Sequence, residues 1–89
     1  MKSFRWNDWN IEHIGEHGIL PPEAEFVVET AGGSWPEDVG EGRYRVLGRG
    51  SDGAYLHVVF IFDPPGVVYV IHARPMNGSE KRRYRRRMP

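Results

Sequence analysis

The sequence predicts an α+β fold with the element order β-α-α-β-β-β-α. Three observations carry this. Apolar residues recur at helical spacing up to about residue 30 and at a spacing of two from residue 43. A block with four Gly and one Pro in twelve positions, "AGGSWPEDVGEG" (31–42), separates the two regimes. The chain then closes on a basic segment with the caps of a helix. Its 89 residues suit one domain, 1–89, with a single core and no internal repeat. The expected architecture is an antiparallel sheet with two N-terminal helices on one face and a C-terminal basic helix.

Each element has its own reason. "SFRW" (3–6) reads as a short edge strand. "NDWNIEHIGEHG" (7–18) reads as a helix that Asn7 or Asp8 caps and that Gly18 ends in the left-handed region. Trp9, Ile11 and Ile14 give it an apolar stripe. "PPEAEFVVET" (21–30) reads as a second helix, with Pro22 in the first turn and Ala24, Phe26, Val27 and Val28 facing inward. The 31–42 block reads as a loop. "RYRVLG" (43–48), "AYLHVVFIF" (54–62) and "VVYVIHAR" (67–74) read as strands of a meander, joined by the turns "RGSDG" and "DPPG". In the second turn Pro65 pre-sets φ and Gly66 is free to take a positive φ. "GSEKRRYRRRM" (78–88) reads as a helix capped by Ser79, with Tyr84 and Met88 as a thin apolar stripe.

Charge is divided along the chain. Residues 74–89 hold seven of the twelve Lys and Arg and a single acid, whereas residues 1–73 hold five basic and eleven acidic side chains. Such a division points to an anionic partner for the basic end. The chain has no Cys, which excludes disulfides and thiol chemistry. No apolar run has the length of a membrane span, and "MKSFRWNDWN" lacks the character of a secretory signal, so a cytoplasmic protein is expected.

Two motifs invite a specific chemistry. "HIGEH" (His13, Glu16, His17) matches the H-x-x-E-H of some zinc hydrolases, but no third ligand is evident, and Gly15 and Gly18 weaken and end the helix. "GRGSDG" lacks the Lys-Ser/Thr of a phosphate loop and lies between two strands, so it reads as a turn. Neither calls for a metal or another cofactor. Strand parity yields a more informative set. Tyr55 and His57 share a face opposite Leu56, Val58, Phe60 and Phe62. Val70, His72 and Arg74 share one opposite Tyr69, Ile71 and Ala73. One sheet face is thus apolar, and the other gathers Arg43, Arg45, His57, His72 and Arg74. A merely solvated face accounts for that set about equally well.

The motif order resembles the BrnT family of type II toxins. "FRW", "NIEHIGEHGI" with "EAEFV", "RYRVLGRGSDGAYLHVVF" and "YVIHARPMNGSEKRRYRR" carry the resemblance over nearly the whole chain. Its combination of features is His17-Gly18, the Arg43-Tyr44-Arg45 strand start, and Ile71, Ala73, Arg74, Glu80 and Tyr84 in order. The chain has His72 where the family often has Ser, and Pro75 where it usually has another residue. The resemblance implies a RelE-like fold, a metal-independent ribonuclease activity that blocks translation, and neutralisation by a BrnA-like ribbon-helix-helix antitoxin that alone would contact operator DNA.

Cleaving RNA without a metal needs a base for the 2′-OH, a cation for the phosphorane and an acid for the leaving oxygen. Arg74 suits the phosphate, because its planar fork matches two phosphate oxygens. His72 or His57 suits proton transfer, with Glu80 and Tyr84 as second choices. Arg43 and Arg45, together with Lys81, Arg82, Arg83, Arg85, Arg86 and Arg87, would hold the RNA backbone. Trp6, Trp9 and Trp35 suit packing better than base stacking. The competing expectation is a non-catalytic module whose basic surface docks an acidic protein or a nucleic acid.

Overall fold

The computed structural model describes residues 2–63 and 66–87. It is α+β, with β1 (Phe4–Arg5), α1 (Asp8–Gly15), α2 (Pro21–Glu29), β2 (Glu37–Gly40), β3 (Arg43–Arg49), β4 (Tyr55–Asp63), β5 (Val67–Pro75) and α3 (Gly78–Arg87). All the expected elements are present in the expected order. The five strands form one sheet in the order β1-β5-β4-β3-β2. It is mixed, because β1 runs parallel to β5 while the other pairs are antiparallel. Among the described residues no helix is long and apolar enough to cross a membrane. The expected roles of Pro65 and Met88 lie outside the described residues.

One strand lies where a loop was expected. β2 occupies Glu37–Gly40 and pairs with the start of β3. The turn between them has Glu41 at φ 58° and Gly42 at φ 76°. Two left-handed residues in succession are what a tight hairpin turn needs, and Gly supplies one of them without a steric penalty.

The first helix differs from its apolar stripe. Asn7 caps it, accepting from the Asn10 backbone N–H while Asn10 Oδ1 accepts from the Asn7 N–H. Gly18 ends the following turn at φ 76°. Ile14 is fully buried, but Trp9 and Ile11 are exposed. The buried residue in their place is Asn10, whose amide donates to the carbonyls of Arg5 and Val70. It closes the gap where the two-residue β1 leaves the edge of β5, satisfying backbone groups that burial would otherwise strand. Trp9 instead stacks on His13 and Tyr69.

The two sheet faces carry different helices. Val46, Leu56, Val58, Phe60, Val68, Val70 and Ala73 are buried in the core with Ala24, Val27 and Val28 of α2. Helix α2 approaches closely at Gly48, where an added Cβ would come within 3.2 Å of the Val27 side chain. Phe26, expected inward, is exposed. Helix α3 covers the opposite face through Tyr84, whose ring edge meets Tyr55.

Parity holds along β4 and fails along β5. His57 pairs with Arg74 and Val59 with His72, but Phe60 then pairs with Val70, so Ile71 is an extra residue. This β-bulge reverses the alternation. Val70 joins Val68 and Ala73 in the core, instead of sharing a face with His72 and Arg74. The bulge keeps an apolar run inside while turning His72 and Arg74 toward the α3 side.

Candidate functional site

Three elements meet on the α3 face of the sheet. The β3–β4–β5 register sets Leu47, His57 and Arg74 in one row and Arg45, Val59 and His72 in the next. Helix α3 brings Glu80 over the first row. Asn77, not Ser79, caps it: Asn77 Oδ1 accepts from the Glu80 N–H, and Glu80 Oε1 accepts from the Asn77 N–H. This reciprocal capping box fixes Glu80 at the helix start.

Glu80 then holds Arg74. The two Nη atoms of Arg74 donate to the two carboxylate oxygens, each at 2.8 Å, and Nη1 also donates to the Pro75 carbonyl. A guanidinium has five N–H donors. The remaining two are Nε–H and one Nη2–H, which lie side by side on the edge away from Glu80. That edge has the fork geometry that suits two phosphate oxygens. The Arg74 hydrogen bonds bring the Glu80 carboxyl down to about 2, and they raise Arg74 further above its usual value. Near neutral pH, Glu80 is therefore a fixed anion that orients Arg74, and it does not exchange protons there.

His57 lies under this pair, 3.8 Å from Glu80 Oε2 through Nε2, and only 6% exposed. Burial first, then the charges of Arg74, His72 and Arg45, push its pKa down to about 4, despite the opposing charge of Glu80. His57 is consequently a neutral imidazole at pH 7. Among the described residues its Nδ1 has no hydrogen-bond partner. His72 is pushed down as well, by burial and then by Arg74, His17 and His13. All four histidines of the chain gather here: the ring centroid of His72 lies 5.8 Å from His13, 5.6 Å from His17 and 5.8 Å from His57. The sequence reads His13 and His17 on one helix, but α1 ends at Gly15 and His17 lies in the turn that follows; their meeting with His72 was not legible. Among the described residues no group of three or more His, Cys, Asp or Glu is arranged to hold a metal ion.

The other candidate residues divide into three groups. Arg45, Arg83 and Arg87 all bind one carboxylate, Glu37 of β2, with Arg87 Nη1 at 3.1 Å. Burial raises the Glu37 pKa, but the hydrogen bonds and charges of these arginines outweigh that and hold it below its ordinary value. Arg83 and Arg87 also lie over the Trp35 ring, with Arg87 at 4.3 Å. These three arginines lock α3 to β2 and β3. Sequence reasoning missed Glu37, because the segment holding it read as a loop.

The second group surrounds Tyr55. The cations of Arg49, Lys81 and Arg85 lie 4.9, 5.7 and 5.6 Å from its ring centre. Among the described residues none of the three has a carboxylate within ion-pair distance, and neither do Arg82 and Arg86. Tyr84 is buried one helical turn beyond Glu80, against Tyr55, so it anchors α3. The third group is Arg43 alone, exposed at the far end of β3 and 3.5 Å from Glu41. The fold does not bring it to Arg74.

A cleft of about 370 Å³ opens beside Pro75 and is lined by His17, Tyr55 and Lys81. Of the unpaired cations only Lys81 lines it, and two carboxylates, Glu23 and Asp52, line it as well. Comparison with protein-family models, with curated proteins and with solved structures finds no match in any of the three.

Proposed function

We propose that this chain is a metal-independent endoribonuclease of the BrnT type, a toxin that a BrnA-like antitoxin neutralises. One observation carries the reading: a neutral, buried imidazole lies beside an arginine whose free donor edge is held in place by a carboxylate. Such a set supplies two of the three groups that phosphodiester cleavage requires. His57 or His72, unprotonated at pH 7, takes the 2′-OH proton. The Nε–H and Nη2–H edge of Arg74 receives the charge that builds on the phosphorane. Arg49, Lys81 and Arg85 around Tyr55 hold the flanking phosphates. The leaving 5′-oxygen takes its proton from the imidazolium formed in the first step or from water.

Substrate, partner and cytoplasmic setting follow from the same reading. RNA is the anion that the unpaired basic side chains suit, and an antitoxin inhibits by covering them. The test is induction of the chain alone in a bacterium, with growth and total RNA followed over time. Growth arrest with RNA loss, both abolished by Arg74→Ala, is the expected result. Normal growth and intact RNA at high levels of folded protein oppose the reading. RNA that is bound but never cut favours the non-catalytic module instead.

A further inference from the structure

A second, roomier cavity lies away from the Arg74 cluster. It is a groove of about 510 Å³ along the outer edge of β3, between α2 and α3. We propose that this groove receives an extended, carboxylate-bearing peptide segment of a partner protein, which adds a strand to β3 beyond the end of β2. The proposal does not depend on the ribonuclease reading.

Strand β2 covers the outer edge of β3 only over Arg43–Arg45. From Val46 to Arg49 that edge has no strand partner, and among the described residues no loop backbone bonds to it. Four residues of strand span about 13 Å. Open edges of this kind pair with an incoming chain. The groove continues the line of β2, so an incoming segment has a strand position already framed by the sheet.

The walls then specify the segment. Phe26 and Val27 of α2 form one side, Tyr84 of α3 the other, and Leu47 lies along the floor. Phe26 is 40% exposed and forms the rim. Alternate side chains of an added strand point to α2, where Phe26 and Val27 require apolar residues, and to the α3 side, where Arg49 and Arg87 suit Asp or Glu. The charged lining residues are Arg49 and Arg87, with no carboxylate among them. Arg49 bonds only to the Gly53 carbonyl and has no acidic partner among the described residues. Trp35, more than nine-tenths buried at one end of the groove, has an indole Nε1–H without an acceptor among the described residues. A buried donor left unpaired is costly, and a backbone carbonyl or a carboxylate of the segment satisfies it.

The same features disfavour other occupants. RNA gains little from an apolar trough in which Arg87 is already committed to Glu37. A second copy of this chain, pairing edge to edge, sets positive charge against positive charge.

The experiment is selection of a displayed library of random twelve-residue peptides on the full chain. The best peptide is then synthesised and titrated while amide and indole N–H shifts are recorded. Enriched peptides should alternate apolar residues with Asp or Glu. Their shifts should map to Val46–Arg49 and to the Trp35 indole. Arg49→Glu should weaken binding at least tenfold with an unchanged melting temperature, and a peptide with Lys in place of its acids should regain affinity for that variant. Phe26→Asp, at the exposed rim, should also weaken binding and gives a second check. Failure to enrich any peptide, enrichment without acidic residues, or shifts confined to the outer side of α3 would overturn the proposal. So would a ten-nucleotide oligouridine moving the Trp35 indole where no peptide does, or a dimer that buries the same edge.

Discussion

Helix α3 meets carboxylates at two places, and the two are built differently. Near its start, Glu80 takes one arginine and leaves part of it open: Arg74 retains two donors and lies beside a neutral imidazole. Near its end, Glu37 takes three arginines, and the cluster is closed against Trp35. One site leaves part of a cation's hydrogen-bonding capacity free. The other consumes cations to fasten the helix. The lesson is that an arginine run is not one surface. Of the seven basic residues from Arg74 onward, three are held by carboxylates, and Lys81, Arg82, Arg85 and Arg86 have none within ion-pair distance among the described residues.

The largest effect that separates the two sites is on activity. Arg74→Ala should reduce RNA cleavage by about 10²–10³-fold, the usual loss for one transition-state donor. It also leaves Glu80, whose side chain is 14% exposed, without its partner, and should cost about 1–3 kcal/mol of stability. Arg74→Lys should restore only part of the rate, since an ammonium is not a fork. Adding Glu80→Gln to Arg74→Ala should recover stability without recovering cleavage. A double variant that regains both would make the pair structural.

The Glu37 site should show the opposite pattern. Glu37→Ala leaves Arg45 facing two other arginines with no counter-charge, and should lower stability by about 1–3 kcal/mol. Partial exposure of Arg83, at 39%, keeps this below the cost of breaking a fully buried pair. Cleavage per folded molecule should change little. A hundredfold loss of activity in fully folded Glu37→Ala would erase the distinction.

Acid provides a finer separation. The folded pKa of His57, about 4, lies below its ordinary 6.5, so the unfolded chain binds that proton first as pH falls. The stability linked to neutral His57 is complete above pH 6.5 and is lost on the way down to pH 4, by roughly 2–3 kcal/mol. Glu80 adds a second loss as pH falls from 4.5 toward 2, because its folded pKa is also depressed. Melting curves across this range should show both steps, and His57→Gln should remove the first. With a base of so low a pKa, cleavage should be nearly level from about pH 6 to 8.

The smallest expected effect concerns the open cations. Replacing Lys81 and Arg85 together by Ala should weaken binding to single-stranded RNA and reduce the slope of log affinity against log salt by about 1.4. The melting temperature should barely move, as these residues hold no carboxylate among the described residues. Replacing Arg83 should instead lower the melting temperature.

Much of the fold was legible because its signals are local. Asn7, Pro22 and Gly18 mark helix ends by their own conformational preferences, and the period-two runs of β3 and β4 mark strands. What escaped is non-local or brief. Strand β2 has four residues in a Gly-rich block, and the turn signal Gly40–Glu41–Gly42 was its only trace. The parallel pairing of β1 with β5 leaves no mark in either segment. The bulge at Ile71 depends on the register with β4, so parity placed Val70 on the wrong face. At the site, residue type and parity were enough to group His57, His72 and Arg74. They did not separate Arg83 and Arg87 from Lys81 and Arg85, because the carboxylate that separates them lies 46 and 50 residues away in sequence.

The central claim is that the Arg74–His57 side of α3 cuts RNA by its own groups. The most direct measurement is incubation of purified protein with end-labelled single-stranded RNA in EDTA, followed by analysis of the new ends. The account predicts fragments ending in 2′,3′-cyclic phosphate or 3′-phosphate, formed by wild type and by folded Glu37→Ala but not by Arg74→Ala. Intact RNA in the presence of folded wild-type protein, or cleavage that appears only when zinc or manganese is added back, would contradict it.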